Sequence, residues 1–453
     1  MTKSKVKRGF LYYLLIFCAL LLGLFCIFAA ILIFNPGKDV YGINLRYVSH
    51  HREIIKYKST DTNTNLDDLS FSSVEFNSGS TDFEIDYDLD AVFTSVHFKP
   101  YVTALSKNEN TDFTLKIELV GSKLVISVEE PELWLTFSNR TSVSFVCPKN
   151  KTFANYDFNI NTKSGNVGIG DKTQKPYEIK SLNITTESGE VLIHNNMKVR
   201  SQDINIKTNT GRITANSNIT GTLSIENDKG KLDIGNLKGS LKIISHDKLE
   251  ADCTSVAKNV SIRSINGYIR VGSLGENFSN GHFTTTDSAE NTNVVIEKMT
   301  GNATITNTTG YVVINDLGGQ ALIETTTGNV EINKAYNNCD VKTLNGSVNI
   351  TQLGETARTT VNTEKGNITL NFAEIGTANL TTKQASIFIN VTTGKPFILD
   401  YTTKNGIEAS WATTELDDSG VLYVSGADSS STKKIVAIAE NGKINIKEGF
   451  IVK

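Results

Sequence analysis

The chain is poor in the residues from which catalytic and metal sites are usually built. Its six histidines, His50, His51, His97, His194, His246 and His282, are scattered over 453 residues. No Ser-His-Asp order, phosphate-binding glycine loop or zinc-ligand spacing accompanies them. Two of the five cysteines, Cys18 and Cys26, sit in an apolar block, and Cys147, Cys253 and Cys339 form no closely spaced pair. A disulfide framework and a cysteine-based metal site are therefore excluded. The net charge is only −3, which leaves no electrostatic basis for binding nucleic acid. The expectation is a protein without a cofactor and without catalysis.

Charge is missing altogether from one stretch. Gly9 to Phe34 reads "GFLYYLLIFCALLLGLFCIFAAILIF", with no ionisable Asp, Glu, Lys or Arg. A membrane-spanning helix needs roughly 20 apolar residues, whereas the apolar core of a cleaved signal is about 7 to 15 and ends at small residues. This block is longer and ends at Phe34-Asn35-Pro36, so an uncleaved transmembrane helix over residues 9–34 is expected, in contact with the lipid bilayer. Lys3, Lys5, Lys7 and Arg8 make residues 1–8 a basic tail that stays cytoplasmic by the positive-inside rule, and everything after about residue 35 then faces outward from the cell membrane. Residues 35–70 read as a polar stalk, 71–150 as a membrane-proximal β cap, and 151–453 as repeats.

The repeats are the strongest signal. "ATITNTTGYVVIND" from Ala303, "ALIETTTGNVEINK" from Ala321 and "CDVKTLNGSVNITQ" from Cys339 place Gly310, Gly328 and Gly346 at a constant spacing of 18. The unit is apolar-x-apolar-x-Thr-x-x-Gly-x-apolar-x-apolar. It recurs at Phe158 to Ile169, Leu182 to Ile193, Ile204 to Ala215, Leu223 to Ile234, Val260 to Val271, Thr359 to Leu370, Ala378 to Ile389 and Ile435 to Ile446. Degenerate copies lie near Leu241 to Ala251 and Asn293 to Ile296, and Phe397 to Ser425 fit poorly. Each half alternates with period two, which is a strand pattern. The glycine between the halves marks a turn and invites positive φ. Such a unit buries its apolar face only by stacking on copies of itself, so the expected fold is all-β, a single-stranded β-solenoid of roughly 12 to 14 rungs. Three residues before each glycine stand Thr162, Thr186, Thr208, Asn227, Ser264, Asn307, Thr325, Thr343 and Thr363. They share the phase of the core residues and are expected to form an inward column bonded along the axis.

The order "FTLKIELVGSKLVISVE", "SVSFVCP" and "FNINTKSGNVGIGD" followed by repeats resembles the DUF4097 family, adhesin-like bacterial envelope proteins with β-helical repeats. The resemblance covers about residues 70 to 450 and implies a non-catalytic, surface-binding role. It brings no catalytic residues. An alternative role implied by related membrane proteins is envelope-stress sensing with a membrane partner.

Two surface features bear on function. Outward positions of the repeats give Asn159, Asn161, Asn183, Thr185, Thr304, Thr306, Thr360, Asn362, Asn379 and Thr381, a neutral polar face suited to a glycan or protein ligand. The outward position between the last two apolar residues reads Gly168, Leu192, Thr214, Asp233, Arg270, Val313, Glu331, Asn349, Thr369, with no two acids adjacent, which argues against an acid/base pair. Separately, "DFEIDYDLD" sets Asp82, Glu84, Asp86, Asp88 and Asp90 on one side of a strand. Either Ca²⁺ or a basic partner docks on that row, or it is a solvated face that discourages edge pairing.

Overall fold

The computed structural model describes Tyr13 and residues 16–23, 44–48 and 51–55, and then 66–450 apart from 68, 89–90, 101, 107–112, 133–134, 149–152, 171–176, 195–196, 200–202, 216–218, 265, 275–279, 286–291 and 411–417. Tyr13 and residues 16–23 are helical. Among the described residues no helix is long and apolar enough to cross a membrane. The expected span over 9–34 falls mostly outside them and finds no support there.

All else that is regular is β. Each repeat folds as two strands joined at the glycine turn: Ala321–Thr325 and Val330–Ala335 are one such pair. First halves pair in parallel with first halves, and second halves with second halves, so two sheets, a leading and a trailing one, run the length of a solenoid. The register is that of the repeat. Ile323 lies between Ile305 and Val341, and Ile332 between Ile314 and Ile350. All are buried in one continuous apolar core. Each such side chain contributes roughly 1.5–3 kcal/mol of burial. Cys253 and Cys339 sit in the same core, where burial pushes both thiols up to about 12. They pack as small hydrophobes. The degenerate copies are full rungs, Ser240–Ser245 with Lys248–Val256 and Asn280–Thr285 with Thr292–Met299.

The hydroxyl column is buried as expected, but its bonds differ. The threonine hydroxyls bond backbone groups of the turns. Thr162, Thr186, Thr208, Thr343 and Thr363 each accept, through Oγ1, the N–H of the glycine three residues on, at 2.8–3.0 Å. Thr363 and Thr382 then donate to the carbonyls of Gly346 and Gly366 in the preceding rung, both at 3.3 Å. The column closes its own turn and staples it to the neighbour. Asn227 is the exception, buried with neither amide atom hydrogen-bonded.

The turn glycines also depart from expectation. Gly328 and Gly346 are not at positive φ. They are required because the previous rung is too close: a Cβ on Gly328 would stand 1.9 Å from the carbonyl oxygen of Gly310, and one on Gly346 1.8 Å from that of Gly328. Of the turn glycines in the regular copies, only Gly267 (φ 129°) and Gly310 (φ 103°) take positive φ among the described residues.

Rung order departs from chain order at both ends. Ser73–Asn77 and Asp82–Asp88 form a rung inside the stack. On one side they pair with Phe153–Thr162 and Val167–Ile169, and on the other with Lys123–Glu129 and Ser142–Pro148. The chain thus lays an inner rung, moves outward to build the end, and returns. Glu130 of the outer layer ties the inner turn, accepting Ser80 N–H at 2.6 Å and Thr81 Oγ1–H at 2.7 Å. At the far end Lys434–Ala439 and Ile444–Glu448 slot between Thr377–Thr382/Ile387–Val391 and Phe397–Thr403/Ile407–Ala409. Antiparallel strands Phe113–Val120, with His51–Ile55 laid beside it, and Ser95–Lys99 end the parallel pairing of the two sheets at one end, and Ser419–Val424 ends that of the leading sheet at the other. The acidic strand Asp82–Asp88 is therefore an interior strand and has no edge to protect, which removes the edge-pairing rationale.

Glycine requirement by rung contact and by φ can be separated. Gly394 has φ 77°, and a Cβ added there would meet nothing within 4 Å. Gly394→Ala should cost about 1–2 kcal/mol, the penalty of a left-handed residue. Gly328→Ala must push two rungs apart and should lower the thermal midpoint by clearly more. Equal shifts in the two variants would show that the close approach is wrong.

Candidate functional site

Of the acidic row, Asp82, Glu84 and Asp86 lie on Asp82–Asp88 and are half-buried or exposed. Asp88 belongs to the strand, but its side chain, like Asp90 altogether, lies outside the described residues. Asp82 is used by the fold: its Oδ1 accepts the N–H of Asn166 in the next rung at 2.7 Å. Asn166, Asn329 and Asn367 repeat the same bond to Glu190, Ser347 and Ser386 at 2.8–3.0 Å. Asp82 is thus the first member of a structural column. Glu84 is flanked by Ser144 on one side and Gly168 on the other. Burial raises its pKa, Asp86 and Asp82 raise it further, and Lys99 and His194 oppose them. Among the described residues no three His, Cys, Asp or Glu side chains converge as metal ligands.

Two rows run along the leading sheet's outer face. The first opens on a short asparagine ladder, in which Asn183 Nδ2 donates to Asn159 Oδ1 and Asn205 Nδ2 to Asn183 Oδ1, both at 2.9 Å, and turns mixed at Ser224 and Lys242. These amides spend their donors on each other. The second row runs Thr306, Glu324, Lys342, Asn362, Thr381 across five rungs, a different group at each step. It floors an open groove of about 490 Å³ whose rim carries Thr326, Leu344, Glu364 and Lys383. Lys383 pairs with Glu364 at 2.6 Å. Exposed pairs of this kind stabilise the fold by little, so these groups can be turned toward a ligand at low cost.

The trailing sheet corrects one expectation. The rung Lys248–Val256 places Asp252 directly beside Asp233, with Arg270 on its other flank. Two acids are therefore adjacent. The degenerate copy concealed this because Leu249 stands where the glycine would be. Arg212 Nε donates to Asp233 at 2.9 Å, and Arg270 lies 3.7 Å from Asp252 and 3.5 Å from Glu297. The acids are thus paired with arginines along the ladder. Beside it, Tyr268 and Tyr311 are 37 % and 41 % exposed. Burial raises the Tyr268 phenol, and the neighbouring Tyr311 adds to this. Both tyrosines follow a turn glycine, in "NGYIRV" and "TGYVVI", and that repeated dipeptide was the available signal.

The model of the Toastrack DUF4097 family matches residues 99–277. The rungs beyond residue 277 continue the same pairing pattern. No curated protein matches the chain. A solved structure of a provisionally named cell adhesion protein from Clostridium sporogenes ATCC 15579 aligns over 86 % of this chain and 97 % of that one, at 9 % identity and a TM-score of 0.15, a likeness too loose to carry an argument. The resemblance read from the sequence over about residues 70 to 450 is thus matched by the Toastrack DUF4097 family model over residues 99–277.

Proposed function

We propose that this protein is a non-catalytic binding module of the bacterial envelope, an adhesin-like β-solenoid that engages its ligand through side chains on its outer faces. The observation that carries this reading is the groove floored by Glu324, Lys342, Asn362 and Thr381. A sequence that only needed a soluble strand face could repeat one polar residue, as the Asn159–Asn183–Asn205 ladder does. Here donors, acceptors and both charges alternate along the axis, the arrangement expected of an extended polar ligand read at many weak contacts. The family resemblance of residues 99–277 agrees with such a role. We place the solenoid outside the cell, held by residues 9–34 in the cytoplasmic membrane with the basic tail inside, on the strength of the charge-free block and the positive-inside rule.

Both parts are testable. A screen of the full-length chain in detergent micelles against glycans, envelope polymers and matrix proteins should return a ligand whose binding weakens at least about tenfold in Lys342→Glu/Lys383→Glu, a loss of about 1.4 kcal/mol. Stability should move by no more than about 0.5 kcal/mol, as for other surface changes. A ligand bound equally by parent and variant would place recognition elsewhere. For topology, Ser59→Cys should react with a membrane-impermeant thiol reagent on intact cells, after outer-membrane permeabilisation where such a membrane exists. Persistent protection of folded, inserted protein would reverse the orientation.

A further inference from the structure

We propose that the outer face of the trailing sheet around Tyr268 and Tyr311 is a binding site for a neutral, β-linked hexose polysaccharide. This rests on the reading of the protein as a binding module and names a ligand class and a place for it.

Tyr268 and Tyr311 stand in one row, separated by Asn293, whose Oδ1 is held by the Tyr311 N–H at 3.1 Å. They are therefore two rungs apart, about 10 Å at the strand spacing of parallel sheets. Elsewhere this row carries Asn166, Glu190, Arg212, Asn329 and Ser347, so two exposed aromatic rings here are a local departure. The backbone departs at the same points: Gly267 and Gly310 are the turn glycines of the regular copies with positive φ. One row inward, Arg270, Val295 and Val313 follow in register. Beyond them Gly235 and Gly272 lack side chains and open a hollow of about 390 Å³, lined also by Asp233, Asp252, Thr254 and Arg270.

The pieces suit a sugar chain. Tyrosine rings and the valines between them offer apolar surface to the C–H face of a pyranose. Carboxylates and guanidinium at the hollow present acceptors and donors to its hydroxyls. One rung advances by nearly the rise of one sugar in an extended β-linked chain, so the two rings would sit under alternate units. Arg212 and Arg270 are paired with Asp233, Asp252 and Glu297, two cations against three anions, leaving no positive field to draw in a polyanion. A peptide adding as a strand needs an open sheet edge, and Asn266–Leu274 and Thr292–Met299 are paired on both sides.

The test is isothermal titration of the full-length chain in micelles with cellohexaose and with chitohexaose. Saturable binding of either is expected, weakened about tenfold in Tyr268→Ala and in Tyr311→Ala, which corresponds to the loss of one aromatic anchor. Tyr268→Phe and Tyr311→Phe should retain it, because stacking needs the ring and not the hydroxyl, and all four variants should melt with the parent. Failure of both hexaoses to bind would overturn the proposal. So would binding unchanged in both alanine variants. If a hexaose binds equally to those variants but is lost in Lys342→Glu/Lys383→Glu, this site falls while the leading-sheet groove, and the reading of a binding module, stand.

Discussion

Most of the regular rungs of this protein rest on the one before with less than a side chain's room at the turn. The carbonyl of one glycine occupies the space where a Cβ of the next would be, from Gly165 through Gly189 to Gly211 and again from Gly310 through Gly346 to Gly366. That approach sets the strands into parallel ladders on both sides of the turn. It also explains the threonine column, because a backbone so close at the glycine needs its N–H satisfied from within the same turn, and the hydroxyl three residues back does this. The apolar core then follows by register: once turns align, Ile305, Ile323 and Val341 stack without further instruction.

A stack held only by nearest neighbours would be open to fraying from either end. Here each end is fastened by a rung laid out of order. The inner rung Ser73–Asn77/Asp82–Asp88 is covered by strands that come later in the chain, and the gap before Phe397–Thr403 is filled by the late pair Lys434–Ala439 and Ile444–Glu448. An end rung cannot peel away without the chain also leaving an interior position. Antiparallel strands break the repeat in both sheets at one end and in the leading sheet at the other, so there the parallel stack does not present a ready template for another copy. The long outer faces remain open to solvent.

Much of this was legible in the sequence, because a solenoid writes its fold locally in every repeat. Period-two halves, the glycine and the threonine three residues before it specify strand, turn and inward column within a dozen residues. What was not legible is non-local. Gly328 reads as a positive-φ glycine, and only the carbonyl of Gly310, 18 residues away in sequence, reveals its actual constraint. The place of Ser73–Asn77 depends on partners at Lys123–Ser127 and Asp157–Asn161, which no periodicity announces. On the surface, the acidic row was visible, yet Asp82 proved to be a backbone acceptor. Asp252 went unseen beside Asp233 because its rung has Leu249 where the turn glycine belongs. The paired tyrosines were readable only as a recurring Gly-Tyr.

The out-of-order rung is where the account is most exposed. Glu75 lies beside Asn159 on one flank and Val125 on the other, so Val125 and Asn159 are two rungs, about 10 Å, apart. A disulfide tolerates Cα separations of only about 4.4–6.8 Å. Oxidation of Glu75→Cys/Asn159→Cys should therefore close a crosslink in the folded chain, seen as a mobility shift on non-reducing gels, while Val125→Cys/Asn159→Cys should stay reduced. Crosslinking of the second pair and not the first would mean that rungs stack in chain order and that the fastened ends do not exist.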